Sequence, residues 1–436
     1  MLLMALRILF TISDTGGGHR AGAAAICAAL TRIAGDDVQT FTVDLLASTG
    51  VPVVRSAPDL FDKLSTRWLP LFDLAYRMTD SSLSVNIIQE FVYLGSHRNL
   101  MRIFNEVRPD MVVSVHSLSN RMVTHARRTY RLSLHYVTVV TDLVSLHASW
   151  ADSEVDLCIV ATREAYEKQT QQGLPPARLA LTGFPVHPKF TYYATDQQTT
   201  RAQLGLAVVP FTVLITSGGV GSGNMRDVVA MLIRAYPHLQ LLIVTGRNTV
   251  LRDDLEALAH SAHVHIYGFV SNMEELMAAS DVVVTKAGPG TLMESLVMRK
   301  PVLVTQAVGP QEQGNIEYVV NHALGMHCPT VERIVAALAE LQQPHVYAET
   351  VARLVDAVPR DGAEQIARLL LQRFVHEPPH IPRRIERLAA LPGVAARRLR
   401  ASARLLRTVG VGRLWRRQAL ARRRKGRVGQ NRRVRR

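Results

Sequence analysis

Residues Asp281 to Asn315 read DVVVTKAGPGTLMESLVMRKPVLVTQAVGPQEQGN, and this stretch decides the fold. The β-branched run Val282 to Thr285 suits a strand buried on both faces. Gly288-Pro289-Gly290 then makes a turn that bares backbone N–H groups at the start of a helix. Thr291 is the expected N-cap of that helix, and Glu294 three residues on completes a capping-box pattern. A helix N-terminus with free amides is an anion site. Pro301 to Val304 is a second short strand, and Gly309 to Asn315 reads as a polar loop at its carboxyl end. Ligands of open α/β sheets sit at the carboxyl ends of the strands, so a phosphate-bearing ligand with hydroxyl groups suits this constellation.

Outward from this stretch, the same alternation of short apolar strands and helices fills most of the chain. That alternation implies βαβ units and parallel sheets. Arg7–Ser13, Val38–Leu45, Asp110–His116, Leu134–Asp142, Val155–Ala161 and Leu179–Gly183 are the expected strands of a first half. Phe211–Thr216, Leu239–Thr245, Val264–Phe269, Asp281–Thr285 and Pro301–Thr305 are those of a second. Residues 190–208 are polar and turn-prone and read as the connection. A length of 436 residues exceeds what one core usually serves, which agrees with two α/β domains facing across a cleft. The expected division is 1–189 and 209–358, then a closing helix and linker over 359–382, then an Arg-rich tail over 383–436.

Composition narrows the class. Hydrophobic residues make up 47% and charged residues 20%, as in a folded globular protein. No apolar run approaches the ~18 residues of a spanning helix. The start, MLLMALRILFTIS, lacks a basic leader and a small-residue cleavage site, so a first strand is expected there. Three scattered cysteines, Cys27, Cys158 and Cys328, fit a reduced cytoplasmic compartment and form no metal-type pair. The net charge of +15 is concentrated at one end. Residues 383–436 hold 20 Lys/Arg against the single acid Glu386, while the remainder holds 31 basic against 35 acidic residues. Such a tail attracts polyanions, and an anionic membrane surface or RNA would both answer to it. No recognisable nucleic-acid module accompanies it. Residues 50 to 107 mix aromatic and apolar side chains with Arg67, Arg77, Arg98 and Arg102, which reads either as a membrane-contacting segment or as an ordinary helical core.

Two glycine-rich loops follow the first strand of each half. Gly16-Gly17-Gly18 precedes His19 at the start of an Ala-rich helix, and Ser217 to Gly223, with Gly218 and Gly219, follows Thr216. A histidine beside a glycine loop at a cleft is the natural candidate for a base near neutral pH.

The stretch Asp14 to Arg20 (DTGGGHR) together with Asp281 to Asn315 resembles the family of monogalactosyldiacylglycerol synthases and bacterial diacylglycerol glucosyltransferases. Its members have two Rossmann-like domains, the GT-B architecture, and the lipid II N-acetylglucosaminyltransferase is a more distant relative. The resemblance runs from about Arg7 to about His322, with gaps. It implies inverting transfer of galactose or glucose from a UDP-sugar to diacylglycerol at the cytoplasmic membrane face, with His19 as base and no metal, since no D-x-D motif is present. On the acceptor side it implies Gly16, Gly17 and Gly18, with Asp142 and His147 in a segment similar to the family's VTDL. A helix cap accounts for Asp142 equally well.

On the donor side the resemblance implies Gly218 and Gly219, then Phe269, Val270 and Met273 at the nucleotide base. Lys286, Gly288, Pro289, Gly290 and Thr291 would meet the diphosphate, Glu294 the ribose diol, and Gln311, Glu312 and Asn315 the sugar. Relatives usually carry Arg where this chain has His187, which leaves one diphosphate contact open, with Lys189 as its substitute. UDP-N-acetylglucosamine 2-epimerases share the fold and give the second reading of the sequence, beside a transferase acting on another lipid acceptor.

Overall fold

The computed structural model describes residues 5–13, 18–45, 47, 79–80, 82–216, 225–258 and 263–374. Gly16, Gly17, Gly218, Gly219, most of 50–81 and the whole tail 383–436 lie outside them.

The first half runs β1 (Leu6–Ile12), α1 (Gly18–Ala34), β2 (Val38–Asp44), α2 (Ser82–Val107), β3 (Met111–Ser114), α3 (Asn120–Tyr130), β4 (His135–Val139), β5 (Leu157–Val160), α4 (Arg163–Gln171) and β6 (Leu179–Leu181). Its strands form one sheet in the order β2-β1-β3-β4-β5-β6, and every pairing among the described residues is parallel. The chain then crosses over through α5 (Pro188–Thr191) and α6 (Gln197–Gln203).

The second half is β7 (Thr212–Thr216), α7 (Met225–Ala235), β8 (Gln240–Val244), α8 (Thr249–Glu256), β9 (Val264–Tyr267), α9 (Met273–Ala279), β10 (Val282–Thr285), α10 (Pro289–Val297), β11 (Val302–Val304), α11 (Pro310–Asn321) and β12 (Gly325–His327). Helices α12 (Val331–Leu341), α13 (Pro344–Ala357) and α14 (Gly362–Phe374) close the described chain. The second sheet, β12-β11-β10-β7-β8-β9, is also parallel and doubly wound.

The strands are apolar because helices cover both faces of each sheet. All four residues of β10 are buried, as the β-branched run predicts. In each sheet the winding direction reverses beside the first strand, between β1 and β3 and between β7 and β10. Crevices for ligands open at the carboxyl ends of strands at such points. His19 follows β1, and the stretch beginning at Lys286 follows β10.

Four differences from the sequence reading have local causes. Residues 197–203 of the expected linker are helical, and α6 is bound to the second half. Buried Arg201 donates to the carbonyls of Ala279, Val208 and Pro210 and to the Asp281 carboxylate at 2.7–3.1 Å. Residues 310–315 are the start of α11 rather than a loop, with Pro310 at its first position and Gly309 as N-cap. Helix α10 starts at Pro289 with Gly288 as N-cap, so Thr291 is its third residue and the capping box does not form. Pro pre-set for the first helical position outweighs a Thr two residues later. Strand β12 is short and partly exposed, without the apolar run that would announce it.

The closing helix α14 returns to the first half, where Ala363, Ile366, Ala367 and Leu370 join the core of Ile8, Phe10, Ile26 and Leu30. The chain therefore crosses between the halves twice, and the crossings touch. A Cβ on Gly362 would stand 2.3 Å from the Phe184 carbonyl oxygen, so only glycine fits there.

Candidate active site

Between the two halves lies a cavity of about 270 Å³. Ala21 and Ala24 of α1 form one wall, the crossing residues Phe184 to His187 another, and Phe269, Val270, Met273, Gly290, Thr291 and Glu294 the third. Six residues expected at a nucleotide thus come together. The helix starts of α1 and α10 also converge, since a Cβ on Gly290 would lie 3.9 Å from the Gly18 Cα. Two helix N-termini aimed at one space reinforce each other as an anion site.

Glu294 sits one turn into α10, partly buried at the cavity. Burial pushes its carboxyl up to about 7, against the pull of nearby Lys189. Phe269 is 65% exposed at the rim, with the Arg247 guanidinium 5.4 Å from its ring centroid. His187 lines the cavity and caps α5, its Nδ1 accepting from the Lys189 backbone N–H at 3.2 Å. Lys189 itself is engaged: its Nζ donates to the Ser271 carbonyl at 2.9 Å and pairs with Glu274 at 2.6 Å. Lys189 lines the cavity beside His187 with these two partners on its ammonium group.

Lys286 is paired as well, 3.0 Å from Glu312 Oε1, while Glu312 Oε2 accepts from the Val308 N–H at 2.8 Å. This ion pair holds the start of α11 against the turn after β10. Asn315 donates through Nδ2 to the Ala287 carbonyl at 2.8 Å, and Gln311 through Nε2 to Val308 at 3.1 Å. The carbonyl oxygens of both amides are buried and have no hydrogen-bond partner. Buried acceptors without a partner are uncommon in folded proteins.

Across the cleft, His19 opens α1. Its Nδ1 lies 2.8 Å from the Val115 carbonyl and 2.9 Å from Thr141 Oγ1. A carbonyl can only accept, so Nδ1 carries the proton and Nε2 keeps its lone pair. Burial lowers the ring to about 4, with the Val115 bond opposing, so His19 is neutral at pH 7. His116 packs edge-on at 4.6 Å.

Asp142, after β4, accepts the Trp150 indole N–H at 2.6 Å through Oδ2. Burial raises its carboxyl to about 6, with the Glu312 charge adding to the rise. His147 is a cap: Nδ1 accepts from the Ser149 N–H at 3.2 Å. That bond gives it a local structural role. No group of three or more His, Cys, Asp or Glu residues placed to hold a metal occurs among the described residues.

Sequence reasoning passed over Trp150, Val115, Ala21, Ala24 and Gly314. A Cβ on Gly314 would lie 2.5 Å from Ser145 Oγ and 2.8 Å from Val144 Cβ. The glycine in PQEQGN was a visible signal, but its neighbour in the other half was not.

The family models divide the chain between the same two halves. Residues 19–186 match the model for monogalactosyldiacylglycerol (MGDG) synthase, and residues 212–365 that for the glycosyltransferase family 28 C-terminal domain. The chain is 30% identical over 332 residues to a probable monogalactosyldiacylglycerol synthase 2, chloroplastic, of Oryza sativa subsp. indica, covering 74% of this chain and 70% of that one. The chain belongs to the monogalactosyldiacylglycerol synthase family.

It spans about two thirds of the length of the curated relatives it matches. It is also 31% identical over 345 residues to the chloroplastic monogalactosyldiacylglycerol synthase of Spinacia oleracea, covering 77% of this chain and 66% of the relative. Among solved structures it resembles MurG of Acinetobacter baumannii, with a TM-score of 0.53 at 14% identity over 84% of this chain and all of that one. It resembles S. aureus MnaA, solved with UDP, with a TM-score of 0.56 at 15% identity over 86% and 99%. These likenesses establish the GT-B fold of the chain. No helix among the described residues is long and apolar enough to cross a membrane.

Proposed function

We propose that this glycosyltransferase moves a hexose, glucose or galactose, from UDP to the free hydroxyl of diacylglycerol, with inversion at the anomeric carbon. The observation that carries the reading is the cavity between the halves, where Glu294 and the start of α10 lie together. A nucleoside diphosphate fits that pair: its ribose hydroxyls donate to Glu294, and its phosphates meet the amides of α10 opposite Gly18. The same amides stabilise the charge that grows on the departing diphosphate.

His19 is the proposed base. Its free Nε2 takes the acceptor proton as the hydroxyl oxygen attacks the anomeric carbon and the bond to UDP breaks. No metal enters this scheme, because the helix starts supply the stabilisation. The enzyme would work as a peripheral protein on the cytoplasmic face of the cell membrane, held there by the Arg-rich tail 383–436. Incubation with radiolabelled UDP-glucose or UDP-galactose and diacylglycerol liposomes tests the proposal. Label must appear in a glycolipid with one of the two donors. Free or epimerised sugar in both the presence and the absence of lipid would favour the epimerase reading instead.

A further inference from the structure

Three hydrogen-bond acceptors that lack donors stand on two segments that meet between the halves. Two are the amide oxygens of Gln311 and Asn315 on the first turns of α11. The third is Oδ1 of Asp142, for which no hydrogen bond is formed among the described residues, whereas Oδ2 holds the Trp150 indole. The approach is close: a Cβ on Gly314 would run into the Val144 side chain and the Ser145 side chain and backbone, just beyond Asp142. Glu312, between Gln311 and Gly314, is near enough for its charge to raise the Asp142 carboxyl.

The two carboxylates come from opposite halves, and they are not equivalent. Both oxygens of Glu312 are occupied, by Lys286 and by the Val308 N–H. Asp142 alone offers an open anionic oxygen. One such oxygen beside two neutral amide carbonyls is a poor seat for a divalent cation, which demands several charged or water oxygens. It is a good seat for vicinal hydroxyl groups, which donate to each acceptor without adding charge.

We infer that Asp142, although it belongs to the acceptor-side half, binds a hydroxyl of the hexose carried by the donor, completing from across the cleft a subsite formed by Gln311 and Asn315. Trp150 is the positioning residue: its buried indole fixes one oxygen so that the other faces the sugar. The hexose is then gripped by both halves, and its recognition depends on the cleft being closed. This inference rests on the UDP-hexose reading above.

Calorimetry on the full chain with UDP, UDP-glucose and UDP-galactose separates the possibilities. Asp142→Asn is expected to weaken the bound UDP-hexose by about 10-fold or more, as for a lost charge-assisted bond, while UDP binding stays within about twofold. Trp150→Phe is expected to act in the same direction but less, again without change for UDP. Thermal melting of both variants checks that they remain folded. Equal affinity of Asp142→Asn and the parent for the UDP-hexose would overturn the inference. So would an equal loss for UDP and UDP-hexose, or a fall in kcat alone with unchanged UDP-hexose affinity, which would make Asp142 a proton acceptor. If the parent binds UDP but neither UDP-hexose, the hexose inference falls with the donor assignment. If it binds none of the three, the nucleotide reading itself is wrong.

Discussion

Gly18 and Gly290 face each other across the cleft, with 3.9 Å between the Gly18 Cα and a Cβ placed on Gly290. Each stands at the start of a helix of its own half. A side chain at position 290 therefore intrudes on the space assigned to the diphosphate. Gly290→Asp is expected to leave the melting temperature unchanged or slightly raised, because an acid in the first turn favours a helix by about 0.3–1 kcal/mol. UDP affinity is expected to fall more than about tenfold, since the carboxylate competes for the same amides. Retained affinity in calorimetry would place the phosphates elsewhere.

Glu294 gives a pH signature. Its carboxyl is raised to about 7 from 4.5, so the folded state holds a proton that the unfolded state has lost across that window. Stability then falls as pH rises from about 4.5 through 7, and the ionised carboxylate opposes folding above it. Glu294→Gln is expected to be more stable than the parent at pH 8, by on the order of 2 kcal/mol, and equal to it near pH 4. The same substitution should weaken UDP, and Glu294→Ala should do so roughly ten- to hundredfold. Denaturant melts at the two pH values and UDP titrations check both halves of this expectation.

His19→Ala is expected to lower kcat by roughly 10²–10⁴-fold with UDP affinity nearly intact, the usual size of a lost general base. Activity of the parent is expected to survive EDTA. Loss on chelation with recovery on adding Mg²⁺ would refute the metal-free scheme.

Gly314→Ala sets the halves against each other. The new methyl would meet Ser145 Oγ at 2.5 Å, closer than real contacts allow. Transfer activity is expected to drop at least about tenfold, with UDP binding less affected because the nucleotide cavity lies beyond this contact. Ser145→Gly removes the nearest obstructing atom, so the double variant should recover part of the activity. Parent-like activity in the single variant would mean the halves work apart.

Deletion of 383–436 is expected to leave UDP binding unchanged and to reduce sedimentation with phosphatidylglycerol liposomes. Each Lys or Arg near an anionic leaflet contributes on the order of 1 kcal/mol, and the difference should be largest at low salt. Equal sedimentation of the two proteins would move the membrane contact to residues 50–107.

The sequence by itself determined the architecture, because its signals are local. Apolar runs such as Val282–Thr285, glycine turns and Ala-rich segments such as Ala21–Ala34 act over one element, and their alternation leaves little besides two parallel α/β sheets. The Gly288-Pro289-Gly290 turn likewise announced a helix start with free amides. Only the tertiary structure decided which charges remain available there. Lys189 and Lys286 read as free cations in the chain, yet Glu274 and Glu312, dozens of residues away in the sequence, hold them at 2.6 and 3.0 Å. Asp142 reads either as an acceptor-side residue or as a cap, and only the fold brings the Trp150 indole to one of its oxygens and the Glu312 charge near enough to raise its carboxyl. Composition and periodicity carry no information about such distances, and a charge pair or a raised carboxyl is a matter of a few ångströms.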